Sequence, residues 1–591
     1  AQADGDALSE AYRFLRAVEH RLQLREDQQV HTLPAGAEAR RGLARVLGFR
    51  DGPATTALAR FHDDLGHHRA TVRSIHERLF FRPLLEAFTA GAPGAAPAPA
   101  GPGAPAVLAP HAAADRLAAF GFSDADRTRR AVVELTRGLS RSSALMAQLL
   151  PLLLDWLSES PDPDLGLLGL RSLTDDSHRR DRLSAMCRES PEAARRLCAL
   201  LGTGPRFVRD LQRHPDSLAG LADGTTLASA TRTDLDGRVG RVLSWRSGPG
   251  PRAHGLRHWQ SGQLLRVAAR DVLGLDGLEA TGTALADLAE ATLAAAVTEV
   301  DPQVPLAVIG MGRLGGSQLA YASDLDVLLV FGGENEDPLP AGAAAEAARA
   351  AEGAATSLLR LVNGETPAAR LYTLDIGLRP EGRQGPLARS LDAYATYYRR
   401  WAQAWERQAL LRGRFVAGDA GVGRRFAALA AGFVWGRPFS PADAREVRRM
   451  KARMERERIP AGEDPQFHLK LGPGSLSDVE WTAQLLQLLH QVALPGTVDA
   501  LGALAKVGAL APADAAALVE AYRFCEATRN RLFLVRGGPA DALPSTGPHL
   551  TALARSLGTS PALLREKYRR LTRRARRVVE RVFYHQPVPA Y

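Results

Sequence analysis

At 591 residues the chain is too long for one hydrophobic core, so several domains are expected. Charged residues at 24% and hydrophobic ones at 45% describe a globular protein; the longest apolar run, Leu145 to Leu157, contains Gln148, Pro151 and Asp155 and is too short for a bilayer, and Cys187, Cys198 and Cys525 follow no disulfide or metal spacing, as expected in a reducing cytoplasm. The net charge of +10 does not by itself argue for nucleic acid: lysine occurs only at Lys451, Lys470, Lys506 and Lys567, and the arginines are spread along amphipathic helices, save for the dense run Arg569 to Arg581, read as a solvated helix face.

The chain opens inside helical periodicity, with Tyr12, Leu15, Val18 and Leu22 recurring at three and four. Residues 10–24, EAYRFLRAVEHRLQL, match residues 520–534, EAYRFCEATRNRLFL, without a gap. The same offset of 510 pairs Leu33-Pro34 with Leu543-Pro544 and Leu43-Ala44-Arg45 with Leu553-Ala554-Arg555. A repeat of this kind reads as two copies of one helical tail, the second following a catalytic core. The expectation is a C-terminal fragment of a duplicated enzyme, with the core of the first copy upstream of Ala1. Residues 90–109 are Ala, Gly and Pro apart from Val107 and Leu108, without charge, a linker. Residues 110–300 read as helical, with patterns over Arg129–Leu139, Ala144–Leu157, Asp181–Leu201 and Gln260–Val300; Pro161-Asp162-Pro163-Asp164 and Arg246 to Pro251 break them.

Residues 304–331, VPLAVIGMGRLGGSQLAYASDLDVLLVF, concentrate the chemistry. An apolar β-branched run, Val304 to Ile309, turns on Gly310, Gly312, Gly315 and Gly316, passes Ser317, and leads to a second apolar run carrying Asp324 and Asp326. Strand residues two apart share a face, so Asp324 and Asp326 project together while Leu325, Val327 and Leu329 point the other way. Two carboxylates on one face repel unless a cation lies between them, which is how Mg²⁺ is held beside a triphosphate. Gly310, Gly312 and Gly315 also spell the glycine pattern of dinucleotide folds. That pattern needs a full crossover helix and an acid at the end of the next strand; here the acids open the second run and the intervening segment is too short and polar. A glycine–serine turn offering backbone N–H groups to phosphates fits better.

A glycine–serine turn, a short spacer and then Asp-apolar-Asp resemble the nucleotidyltransferase superfamily, and the resemblance implies a third carboxylate on a later strand; the candidate is Asp375, in RLYTLDIGLRPEGRQGPL (370–387), with Arg379 on the same strand face and suited to grip phosphate oxygens. Beyond Asp392 the chain turns helical: Tyr394, Tyr397, Tyr398, Trp401 and Trp405 make an aromatic stripe read as core, with Glu406, Arg412 and Arg414 following on the same helix. In HLKLGPGSLSDVEW (468–481), Lys470, Gly472 and Gly474 precede a helix start at Ser477-Asp478. This is either an anion loop or a capped helix with a solvent-facing lysine, and Asp478 and Glu480 are read as capping and dipole groups.

The segments VEHRLQLREDQQVHTLP (18–34), GMGRLGGSQLAYASDLDVLLVF (310–331), LDIGLRPEGRQGPL (374–387), WERQALLRGRFVAGD (405–419) and LKLGPGSLSDVEW (469–481) together resemble glutamine synthetase adenylyltransferase. The resemblance implies an α+β chain: a polymerase-β-like nucleotidyltransferase core flanked by large helical domains. Its parts would be a tail helical domain (1–85), the linker (86–109), a helical regulatory or scaffold region (110–255), the catalytic core (256–390) and a C-terminal helical domain (391–591). It implies transfer of AMP from ATP to a tyrosine of glutamine synthetase in the cytoplasm, Mg²⁺ on Asp324, Asp326 and Asp375, and triphosphate on Gly315, Gly316, Ser317 and Arg379. It also implies a PII-type signal protein as partner, with no membrane and no nucleic acid, and loss of the AMP-removing activity from this fragment. One departure is visible: Ser475 stands where the family often has a second glycine, and positive φ there would be strained. A nucleotidyltransferase acting on RNA ends, or a helical module that only binds glutamine synthetase, remain the other readings.

Overall fold

The computed structural model describes residues 2–26, 33–34, 36–52, 55–76, 117–118, 120–136, 141–222, 227–332, 341–457, 459 and 463–585. The expected linker lies outside them. The chain divides into two units, Ala1–Glu159 and Ser160–Tyr591. The division falls just before the Pro161–Asp164 breaker, inside the helical region expected over 110–255. Asp162 then caps the next helix, its carboxylate accepting from Leu165 N–H at 2.9 Å.

The first unit contains α1 (Gln2–Glu26), α2 (Ala37–Val46), α3 (Ala57–His76), α4 (Ala125–Thr136) and α5 (Arg141–Ser158). Val18, Leu22, Leu43, Ala44 and Phe61 close a small core among α1, α2 and α3. The second unit opens with helices α6 (Pro163–Leu173), α7 (Ser177–Glu189), α8 (Pro191–Leu201), α9 (Pro205–Arg213), α10 (Asp216–Ala222), α11 (Arg232–Ser244), α12 (Pro249–Val272) and α13 (Leu278–Val300). Two expected long helices are thus split, at Ser190-Pro191 and around Gly274, because proline starts a helix and a positive-φ glycine ends one.

The sheet follows. Its strands are β1 (Leu306–Gly310), β2 (Leu325–Phe331), β3 (Leu374–Asp375), β4 (Ala388–Ser390) and β5 (Arg414–Gly418). The order is β3-β2-β1-β5, with β4 also on β2. β1 is antiparallel to β2 and β5, whereas β3 and β4 run parallel to β2. Between strands lie the one-turn α14 (Gly312–Gly315), α15 (Ala341–Asn363), α16 (Leu391–Arg400) and α17 (Ala404–Leu410). The sheet therefore extends past residue 390, since β5 completes it. Arg412 and Arg414 accordingly leave the helix of Glu406 and belong to the turn and strand that follow it.

Both faces of the sheet are covered. Leu306, Val308, Val327, Leu329 and Phe331 pack with residues of α11, α12, α13 and α15. Ala307, Ile309, Leu328 and Val330 face the C-terminal helices. These are α18 (Ala420–Trp435), α19 (Pro441–Glu457), α20 (Leu476–His490), α21 (Thr497–Lys506), α22 (Pro512–Arg536), α23 (Pro548–Ser556) and α24 (Pro561–Val582). By strand alternation Asp326 belongs to this second face.

Of the aromatic stripe, Tyr394 and Tyr398 are core, as expected, while Trp401 is 71% exposed beyond the end of α16. The 510-residue repeat is structural as well: α22 carries the register of α1 at both ends, and Ala11, Leu22, Leu43 and Ala44 are buried, as are Ala521, Leu532, Leu553 and Ala554. Among the described residues no helix is long and apolar enough to cross a membrane.

Candidate active site

β1 delivers the chain to Gly310, α14 makes the turn, and β2 brings it back. Met311 N–H donates to the Asp326 carbonyl at 2.8 Å and closes this corner. The parallel pairing of β2 with β3 then sets Leu325 beside Leu374 and Asp326 beside Asp375. Paired residues in a ladder share a face, so the two carboxylates are neighbours although they lie 49 positions apart in the chain. Asp324 stands one residue ahead of β2; it and Asp375 are exposed, whereas Asp326 is half-buried.

Burial pushes the Asp326 carboxyl up to about 6, and the charge of Asp375 adds to that; Lys470 opposes it, and Asp324 and Glu480 add less. Three acids and one lysine thus act on Asp326. The lysine comes from the 468–481 loop, expected as either an anion loop or a capped helix start, and its charge reaches Asp326. That loop is built firmly: His468 is buried and its Nδ1 accepts from Lys470 N–H at 3.2 Å and Leu471 N–H at 3.0 Å. Positive φ falls on Gly474 (φ 73), where a Cβ would lie 1.9 Å from the Thr572 carbonyl, while Ser475 has φ −89. The serine departure is therefore unstrained. Asp478 accepts from Gly474 N–H at 2.7 Å, Lys451 at 2.6 Å and Arg576 at 2.9 Å, and burial of this carboxylate is outweighed by its two cations.

The glycine with the closest tie to the carboxylates is Gly312. Its φ is +52, and a Cβ there would sit 2.5 Å from Asp326 Oδ2. Gly315 and Gly316 play another part. Their N–H groups, with that of Ser317, donate to Met311, Gly312 and Leu314 carbonyls, and so are not offered to phosphates as expected. A Cβ on Gly315 would lie 1.6 Å from the Arg412 carbonyl, so this glycine lets two backbones meet. Ser317 Oγ accepts from Arg414 at 2.9 Å.

Arg379 also departs from expectation. β3 ends at Asp375, so strand alternation does not reach residue 379. Its guanidinium is buried and donates to the carbonyls of Ile376, Gly385 and Pro386, clamping the loop after β3. On the same loop Gly377 N–H donates to Asp375 Oδ1 at 2.7 Å and orients the carboxylate.

Sequence reading missed the link between the sheet and the C-terminal helices. Arg313 in α14 donates to Glu526 at 2.6 Å and Glu480 at 3.1 Å. Tyr522 O–H donates to Glu480 at 3.3 Å, and Arg412 lies 3.8 Å from it. Burial works against the Arg313 charge, but Glu526, Tyr522 and Glu480 hold its pKa well above the usual value. Glu480 is thus a tie between two layers rather than a helix-dipole group. No local signal could show this, since its partners lie far away in the chain.

Among the described residues no three His, Cys, Asp or Glu side chains already converge as a metal cage. The donor chemistry nonetheless suits a hard divalent ion: two neighbouring carboxylates, one half-buried and destabilised as an anion, with a third one residue before the strand. Mg²⁺ is ordinarily held by one or two carboxylates together with substrate phosphates, so a finished protein cage is not required.

Comparison with known proteins identifies the family. Residues 194–429 match the family model described as glutamate-ammonia ligase adenylyltransferase. Residues 1–80 and 445–586 match that described as GlnD PII-uridylyltransferase, so one model covers both copies of the repeat. The bifunctional glutamine synthetase adenylyltransferase/adenylyl-removing enzyme of Streptomyces avermitilis is 40% identical over 99% of this chain and 60% of its own length. Those of Leifsonia xyli and Mycobacterium avium are 40% and 38% identical over 98% of the chain and 57% and 59% of their lengths. The chain spans about three-fifths of the curated relatives it matches. With the carboxylate pair lying inside the first matched region, the chain belongs to the glutamine synthetase adenylyltransferase family.

Proposed function

We propose that this site transfers AMP from ATP to a tyrosine hydroxyl of glutamine synthetase and releases pyrophosphate, on a polymerase-β-like core acting in the cytoplasm. The observation that carries the reading is the side-by-side placement of Asp326 and Asp375 in the sheet, within electrostatic reach of Lys470 in the 468–481 loop. In the transfer, the tyrosine oxygen bonds to the α-phosphorus and the α–β bridging oxygen leaves with pyrophosphate. Asp324, Asp326 and Asp375 would hold Mg²⁺, which when bound supplies charge neutralisation for the triphosphate and lowers the pKa of the attacking hydroxyl. Lys470 balances negative charge on the same face. Gly312 keeps the space beside Asp326 Oδ2 open, and Gly377 N–H fixes the Asp375 rotamer. Gly315, Gly316, Ser317 and Arg379 shape the turn and loop around the triphosphate. The match of both repeat copies to a PII-uridylyltransferase model supports a PII-type signal protein as a partner of the helical tails.

The test is transfer of label from α-labelled ATP to purified glutamine synthetase, with Mg²⁺ and with EDTA. Label that needs Mg²⁺ and disappears in Asp326→Asn is expected. Undiminished labelling by Asp326→Asn would overturn the assignment.

A further inference from the structure

A cleft of about 410 Å³, within the ~300–1,000 Å³ range of small-molecule sites, opens at Gly377, in the loop that follows Asp375. Gly377, whose N–H holds Asp375, and Trp481, next to Glu480, both line it. Between them stand Trp405 of α17 and Met450 and Met454 of α19, the two methionines one turn apart on one helix face. Two of the five methionines of the chain therefore meet two of its seven tryptophans here. Aromatic and thioether surfaces of this kind accept a flat, polarizable ring.

The cleft also holds a polar pair. Gln408 is buried, and its Nε2 donates to Gln484 Oε1 at 2.7 Å. Gln408 Oε1 has no partner. A buried amide oxygen without a donor is costly, on the order of 1–3 kcal/mol, and invites a ligand to supply one. Gln408 thus keeps an open acceptor, and the Gln484 amide nitrogen beside it carries N–H donors. The edge of adenine, an exocyclic amine beside a ring nitrogen, presents the complementary pair.

We propose that this cleft is the purine subsite: the adenine of ATP lies among Trp405, Met450, Met454 and Trp481, with Gln408 and Gln484 meeting its edge. The inference rests on the adenylyl-transfer reading, because the cleft adjoins Asp375 and so sets the base within reach while the triphosphate lies at the carboxylates. It also assigns the base to the C-terminal helices and the phosphates to the sheet, so that nucleotide binding bridges the two layers.

Calorimetric titration of the whole chain with ATP and with inorganic tripolyphosphate, both with Mg²⁺, tests it. Trp481→Ala and Gln484→Leu are expected to raise the dissociation constant for ATP about tenfold or more and to leave that for tripolyphosphate unchanged. Asp326→Asn is expected to weaken both ligands. Trp481→Ala and Gln484→Leu variants that bind ATP like the wild type, or lose both ligands equally, would overturn the base subsite while leaving the carboxylate site standing. A wild type that binds neither ligand would overturn the nucleotide reading itself.

Discussion

Gly312 shows how one residue can govern a carboxylate without contributing a side chain. It occupies the left-handed region, and the space that a Cβ would fill belongs to Asp326 Oδ2. Gly312→Ala therefore carries both a backbone strain of about 1–2 kcal/mol and a collision with the central acid. The expected outcome is a loss of adenylyl transfer of at least tenfold with the circular dichroism spectrum retained; a variant with full activity would show that Asp326 does not need its present position. Lys470 poses the complementary question of charge. Lys470→Ala should weaken Mg-ATP binding several-fold without lowering the melting temperature, because the side chain is exposed and the loop is held by His468 instead. A large fall in melting temperature would reassign Lys470 to structure.

At the scale of elements, the layers are joined by a buried polar tie rather than by apolar contact alone. Arg313 of α14, Glu480 of α20 and Glu526 of α22 share charge in a region where each is at most 18% exposed. Removing one partner of a buried set strands the others, at roughly 3–5 kcal/mol. Arg313→Ala should accordingly lower the free energy of unfolding by about that much in urea titration; a loss below about 1 kcal/mol would mean that water solvates Glu480 and Glu526 in its absence. The same tie marks the limit of sequence reading. The β1–turn–β2 corner was legible because period-two alternation and glycine spacing are local signals, and the Asp324–Asp326 pair came with it. Asp375 was legible as a third acid in an apolar run, but its strand is two residues long, and the alternation extended to Arg379 had no strand to act on. β5 was hidden because RFVAG, only five residues, adjoins helical patterns on both sides. The Arg313–Glu480 pair and the Gln408–Gln484 pair leave no local trace, since tertiary packing alone brings their helices together.

For the molecule as a whole, the repeat was the most legible feature, because two copies of one fold constrain the same positions: Leu43 and Leu553 are both buried, as are Ala44 and Ala554. The basic surplus was harder to place. In α24 it is partly balanced inside the fold, since Arg576 meets Asp478, Glu455 and Glu580, and Arg581 meets Asp514 at 2.6 Å. That balance has a consequence for acid. Asp443, Asp478, Glu480 and Asp541 all titrate below their ordinary range, although burial raises each, because neighbouring cations and donors outweigh it. A carboxylate depressed by folding stabilises the native state above its unfolded pKa, and that stabilisation disappears as pH falls through the folded value. Asp443 is the clearest case: Arg437 donates to it at 2.7 Å, Ser440 N–H at 2.9 Å, and its pKa is about 2. Its partner Arg437 is 56% exposed, so solvent screening reduces the contribution to about 1–2 kcal/mol. Asp443→Asn should therefore unfold at lower urea than the wild type at pH 7. The gap should narrow steadily from about pH 4 toward pH 2, as the wild-type carboxylate takes up its proton and comes to resemble the amide. A gap that stays constant over that range would mean that Asp443 acts through shape and capping alone, with its charge contributing nothing.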